Sequence, residues 1–196
     1  MADHPILFSP TMVCALLEGR KTQTRRVLKG LLPDDMPYVQ EGEIQQSSPS
    51  MQFEDRRWPG TMSVGDHLWV RETFTLTQHD HPVYRADATD QSGKRWTSIA
   101  PGDPDGEVIW KPSIFMPRWA SRLTLTVTDV RVQRLQEISE GDAKAEGIDD
   151  RDVVCGFSEL WDSLNAKRGY GWDANPWVAA YSFHVEKINI DRMGAA

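Results

Sequence analysis

The chain has 196 residues, enough for one well-buried core or at most two small ones, and a formal net charge of −7. That acidity argues against a protein that coats nucleic acid without sequence preference, which takes many lysines and arginines on one face. Hydrophobic residues make up 39% of the chain, but no run approaches the ~18 apolar residues of a membrane span, and two distant cysteines, Cys14 and Cys155, suit neither a disulfide framework nor a structural zinc site.

The opening MADHPILFSP has no basic stretch ahead of a long apolar one, so no secretion leader is expected and a reducing cytoplasm fits. Ser9-Pro10 followed by TMVCALLEG predicts a short helix: Ser9 caps it, Pro10 suits its first turn, and Val13, Leu16 and Leu17 share a face. Gly19 would end it in a left-handed turn, so the basic stretch GRKTQTRR (19–26) begins where the chain reverses. Residues 31–63 show neither helical nor strand periodicity and read as a long irregular insertion. In VGDHLWVRETFTL (64–76) a Gly-Asp turn leads into a strand, with Leu68 and Val70 alternating with Trp69 and Arg71. Residues 79–110 read as a second insertion or lid around a strand near Val83–Ala86. RLTLTVTDVRVQRL (122–135) predicts a long core strand, Leu123, Leu125 and Val127 on one face and Thr124, Thr126 and Thr128 on the other.

ISEGDAKAEGI (138–148) carries Ser139 and Asp142 in a capping-box-like start, and Gly147 as a stop. FSELWDSLNA (157–166) predicts an amphipathic helix with Phe157, Leu160, Trp161 and Leu164 inward. WVAAYSFHVEKINI (177–190) predicts a last strand. Strands and helices mix without regular βαβ alternation, so the expected class is α+β around a mixed or closed sheet.

Few residue groups are chemically suggestive. A lysine between arginines at a partly buried chain reversal has its charged form disfavoured, so Lys21 is a candidate base; Thr24 has a hydroxyl that needs such a base to become a nucleophile. The residues alone favour the plainer reading, a solvated basic turn. Glu146 falls at a helix C-terminus, where the dipole disfavours a carboxylate, which suits a general acid or base as well as an ordinary exposed glutamate. His79 and His81 lack a third ligand of matching pattern, so no metal is assigned. Lys111, Arg118, Trp119, Arg122, Arg131 and Arg134 make a basic, aromatic stretch suited either to stacking and phosphate contact or to a solvated strand face. Trp172 and Trp177 read as core anchors or as a pocket lining. The glycine fingerprints of dinucleotide sites, P-loops and α/β-hydrolase elbows are absent.

Taken in order, GRKTQT, GDHLWV, RLTLTVTDV, ISEGDAKAEGI and YSFHVE resemble the ASCH domain, a PUA-like β-barrel, over about half of the chain. KPSIFMPRWASRLTL and LWDSLN with WDANPWV are similar to the larger ASCH proteins of phages and prophages. The resemblance implies a single domain over 1–196, a PUA-like/ASCH mixed β-barrel with short flanking helices and insertions at about 31–63 and 79–110. Small bacterial members include amidohydrolases that remove the acyl group of N4-acetylcytidine with a lysine, a threonine and a glutamate. By resemblance these roles fall on Lys21, Thr24 and Glu146, without cofactor or metal. Arg25, Arg26, Trp69, Arg71, Glu72 and Trp119 become the candidates for holding a nucleoside substrate. Other members are proposed to bind RNA, some with nuclease activity, so an RNA- or modified-base-binding module is the alternative. No membrane partner is expected.

Overall fold

The computed structural model describes residues 1–30, 36–47, 56–57, 61–77, 79–88 and 109–193. It is a mixed α+β structure. In chain order the strands are β1 (Asp3–Leu7), β2 (Gln23–Val27), β3 (Met36–Gln40), β4 (Glu43–Ser47), β5 (Arg56–Arg57), β6 (His67–Arg71), β7 (Phe74–Leu76), β8 (Pro82–Tyr84), β9 (Thr124–Arg134) and β10 (Trp177–Glu186). The α-helices are α1 (Pro10–Leu17), α2 (Glu140–Ala145) and α3 (Val153–Asn165). Five strands form the main sheet in the order β1-β6-β9-β10-β2. Among the described residues no ladder joins β1 to β2, so that order stays open.

The chain divides into two compact units. One comprises Asp3–Glu18, His67–Leu125 and Val185–Ala196. Its helix α1 follows the sequence signals: the Ser9 side chain accepts from the Met12 amide at 3.4 Å, Pro10 occupies the first turn, and Val13, Ala15 and Leu16 are buried. β1 runs parallel to β6, with Ile6 beside Val70. The strand expected over 64–76 breaks at Glu72-Thr73, where the Glu72 amide donates to Met116 Sδ, and it resumes as β7. β7 pairs with β8, which stops at Tyr84 because residues Arg85–Asp87 turn into a 3-10 helix. Phe74, Met116 and Ala120 form this unit's small apolar cluster, with Leu76 and Tyr84 against it. Much of the expected insertion, 89–108, lies outside the described residues.

The other unit comprises Met1–Ala2, Gly19–Asp66 and Thr126–His184. Here the segment 31–63 departs from the irregular reading, since 36–47 is an antiparallel hairpin and β5 adds to it. Glu41 (φ 51°) and Gly42 (φ 77°) both adopt the left-handed conformation that a two-residue hairpin turn demands. The remainder of that segment, 31–35, 48–55 and 58–60, lies outside the described residues.

Helix α2 begins at Ser139, whose hydroxyl accepts from the Asp142 amide at 3.1 Å, and Gly147 (φ 89°) follows its end. Helix α3 starts earlier than the pattern suggested, because Asp152 caps it by accepting from the Cys155 amide at 3.0 Å. Its buried stripe is Val153, Phe157 and Trp161; Leu164, expected inward, is 59% exposed in the last turn. These residues pack with Leu135, Ile138, Ala143 and Val178. β10 ends at Glu186, short of the expected 190, and Asn189 then caps a 3-10 turn over Ile190–Arg192.

Candidate functional site

Gly19 takes the left-handed conformation (φ 75°), as its place after α1 suggested. GRKTQTRR is nevertheless not a turn throughout. From Gln23 it becomes strand β2, antiparallel to β10, with Thr24 opposite Tyr181, Arg25 opposite Ala180 and Arg26 opposite Ala179. Strand pleating therefore divides the motif: Gln23, Arg25 and Val27 share one face, and Thr24 and Arg26 the other. Val27 and Val178, a cross-strand pair, pack in the α2/α3 cluster, so Arg25 points to the helical side. Thr24 and Tyr181 share the opposite side and are both buried.

Lys21 precedes the strand. It forms an isolated antiparallel bridge with Glu146, and the Thr22 amide donates to the Ala145 carbonyl at 2.8 Å. The main chain at the start of the motif is thus tied to the C-terminus of α2. Lys21 Nζ donates to Glu146 Oε2 at 2.8 Å and to the Glu146 carbonyl at 2.7 Å. Both side chains are almost fully enclosed, at 2% and 7% exposure.

The second oxygen of Glu146 faces Arg25, whose Nη1 donates to Oε1 at 3.1 Å. Arg25 Nη2 lies 3.1 Å from Asp142 Oδ2, an ion pair without hydrogen-bond alignment, and the guanidinium carbon sits 5.9 Å from the Phe157 ring centroid. Arg131 Nη2 donates to Asp142 Oδ1 at 3.0 Å. A charge chain therefore runs Lys21, Glu146, Arg25, Asp142, Arg131, alternating in sign.

Burial pulls the Lys21 pKa below the ordinary lysine value; the charge and hydrogen bond of Glu146 oppose this, while Arg26 and Arg25 add to it. Burial works against ionisation of Asp142, yet hydrogen bonds from Arg131 and Gln23 and the charges of Arg25 and Arg131 outweigh it, and its pKa is held below the usual value. The Thr24 hydroxyl makes no hydrogen bond among the described residues.

Lys21, Arg25 and Glu146 are thus brought into direct contact, with Thr24 three residues along the same strand entry and Arg26 exposed beside it. Trp69, Arg71, Glu72 and Trp119 belong to the other compact unit. There Arg71 lies over Trp69 at 5.2 Å from its ring centroid and donates to the Ile114 carbonyl. Glu72 is buried and held by Arg122, Nε to Oε1 at 2.8 Å and Nη2 to Oε2 at 3.0 Å. Burial raises the Glu72 pKa, and Arg122 offsets part of the rise. Arg122 also binds Asp87 and stacks 3.9 Å above the Tyr84 ring. Trp119 is 55% exposed.

Asp142 and Gln23 escaped sequence reasoning as site residues. Asp142 stands four residues before Glu146, hence on its helical face, but its cap position gave it a sufficient local explanation. In the basic 111–134 stretch, Arg118 binds Asp3 and Asp191, Arg122 binds Glu72 and Asp87, and Arg131 binds Asp142. His79 and His81 lie in an exposed turn whose amides donate to Thr77 Oγ1. Among the described residues no helix is long and apolar enough to cross a membrane.

No family model matches the chain, and no curated protein does. The structure is similar to that of an Enterococcus faecalis protein, EF3133, of the DUF984 family, at 13% identity and a TM-score of 0.43, covering 97% of this chain and 83% of that one. It is also similar to an ASCH domain from Lactobacillus crispatus, at 14% identity and a TM-score of 0.44, covering 94% of this chain and 79% of the other.

Proposed function

We propose that the protein is an amidohydrolase that removes the acyl group from N4-acylated cytosine nucleosides, acting as a single cytoplasmic ASCH domain of PUA-like barrel type. The observation that supports this reading best is the enclosed Lys21–Glu146 pair, with the lysine pKa drawn down, at the entry of the strand that carries Thr24, whose hydroxyl is unbonded among the described residues. A buried ion pair is weak support for stability, and a lysine perturbed by burial beside a specific charge partner is a candidate for chemistry.

In this scheme Lys21 acts in its neutral form and takes the proton of Thr24. The Thr24 oxygen forms a bond to the acyl carbon, and the carbonyl electrons move to its oxygen. Collapse breaks the bond to N4, which leaves with the proton returned by Lys21 or relayed through Glu146. Water then attacks the Thr24 ester, its proton going to the same pair, and carboxylic acid departs. One amide and one water yield one amine and one acid. Arg26 is the exposed cation on the Thr24 side of the strand and is assigned to the developing oxyanion.

The alternative, an RNA-binding module, is less well supplied with cations: Arg118, Arg122 and Arg131 already face carboxylates. The test is incubation with N4-acetylcytidine and chromatography for cytidine, with Lys21→Ala, Thr24→Ala and Glu146→Ala alongside. We expect turnover by the wild type and losses of about 10²–10⁴ in the variants. A trapped acetyl group on the Thr24 peptide would identify the nucleophile. No turnover on any N4-acyl nucleoside refutes the reaction, and undiminished variants refute the roles.

A further inference from the structure

Asp142 and Glu146 are one helical turn apart on the same face of α2, a like-charge pairing that destabilises a helix when nothing lies between the carboxylates. Here Arg25 lies between them, Nη1 on Glu146 Oε1 and Nη2 beside Asp142 Oδ2, each at 3.1 Å. A planar guanidinium fork can span two carboxylates in this way, whereas an ammonium cannot. The Arg25 side chain is fully enclosed, with the Phe157 ring on its flank, so no face of it remains for a substrate. Asp142 is in turn fixed from its other side by Arg131, on β9, and by Gln23.

We propose that Asp142 is a positioning residue: acting through Arg25, it fixes the Glu146 carboxylate so that Oε2 stays on Lys21, and Arg25 serves as a strut between the two acids. The catalytic meaning of this rests on the deacylation reading, but the geometry it predicts does not. With Asp142 neutral, the whole guanidinium charge falls on Glu146, the carboxylate is drawn toward Arg25, and the Lys21 amine loses its anionic partner.

The test is competitive acylation of the intact protein with trace acetic anhydride, reading Lys21 against the exposed Lys29 by peptide mass spectrometry. Asp142→Asn should raise the Lys21:Lys29 labelling ratio about tenfold, the equivalent of about one pKa unit. Asp142→Glu, which restores the charge, should bring the ratio back toward wild type. Where Asp142→Asn shows no cooperative unfolding, Arg131→Gln replaces it, acting from a partly exposed position, and should shift the ratio in the same direction by less. An unchanged ratio in a cooperatively folded Asp142→Asn or Arg131→Gln protein overturns the proposal, as does a failure of Asp142→Glu to restore it. In turnover, the expected signature is a fall in kcat with KM for N4-acetylcytidine unchanged, because Arg25 touches no substrate. Labelling needs no substrate, so a protein inert toward every N4-acyl nucleoside refutes the reaction while the labelling ratio still judges the strut.

Discussion

The enclosed pair makes a prediction in which stability and activity part company. In Lys21→Met the carboxylate of Glu146 keeps Arg25 at 3.1 Å, so it is not orphaned, and the loss should be about 1–3 kcal/mol, the scale of one hydrogen bond to a charged group. Glu146→Leu is worse. It takes the Glu146 carboxylate away from the Lys21 ammonium, 2% exposed, and from Arg25, and the expected cost is about 3–5 kcal/mol. Simple addition would put the double variant Lys21→Met/Glu146→Leu about 4–8 kcal/mol below wild type. We expect it instead to be no less stable than Glu146→Leu alone, because removing both charges of the pair also removes their desolvation cost, while Arg25 keeps Asp142 at 3.1 Å. Urea unfolding followed by circular dichroism measures all four proteins, with a common m-value showing that the same surface is exposed in each. The double variant should also be inactive on N4-acetylcytidine. A double variant as unstable as the sum of the singles would refute the reasoning, since the pair would then contribute through packing that apolar side chains cannot replace.

Two further predictions concern charge elsewhere and pH. Arg122→Met strands Glu72, which is 1% exposed and bound through both oxygens, and should cost about 3–5 kcal/mol. Arg118→Met breaks two pairs of an arginine whose side chain is 36% exposed and should cost about 2 kcal/mol or less, so an equal or reversed ranking in thermal unfolding contradicts the burial argument. The folded-state Lys21 pKa lies below its unfolded value, so between the two the unfolded chain binds more protons and stability rises with pH, up to about 10.4 where both forms are neutral. Lys21→Met should remove that rise, seen as urea midpoints between pH 7 and 10 that climb less steeply than wild type; parallel curves would count against a depressed lysine pKa.

Local signals were readable where one side chain fixes one backbone event. Ser9 with Pro10, Ser139 and Gly19 each mark a boundary that the structure keeps. The hairpin over 36–47 escaped because its turn is Glu41-Gly42 in place of the familiar Asn-Gly or Asp-Gly, so a glutamate holds the left-handed position that sequence reading reserves for other residues. Leu164 followed helical spacing but fell in the final turn, where the stripe runs out to solvent. At the site, Lys21 was legible from its basic neighbours. Glu146 joined it only through the resemblance, because 125 positions separate the two and only the fold brings them to 2.8 Å. Arg25 was expected to hold substrate, since nothing in its neighbourhood in sequence supplies the two carboxylates that flank it.

The pairing of Lys21 with Glu146 depends less on side-chain choice than the distances suggest. The Lys21–Glu146 bridge and the bond from the Thr22 amide to the Ala145 carbonyl join the two segments through main-chain groups, which survive substitution at either position. Three residues apart within one strand, a lysine and a threonine would face opposite sides. Lys21, however, stands before β2 begins, where its direction is set by the bridge to α2 and not by the pleat that orients Thr24. The spacing in GRKTQT thus joins two differently governed positions: an amine fixed by a helix terminus, and a hydroxyl fixed by the cross-strand pair with Tyr181. Because the two are fixed separately, one residue inserted between Lys21 and Gln23 should leave both the Lys21–Glu146 bridge and the pairing of Thr24 with Tyr181 in place, since slipping β2 by one residue would turn Val27 out of its apolar cluster.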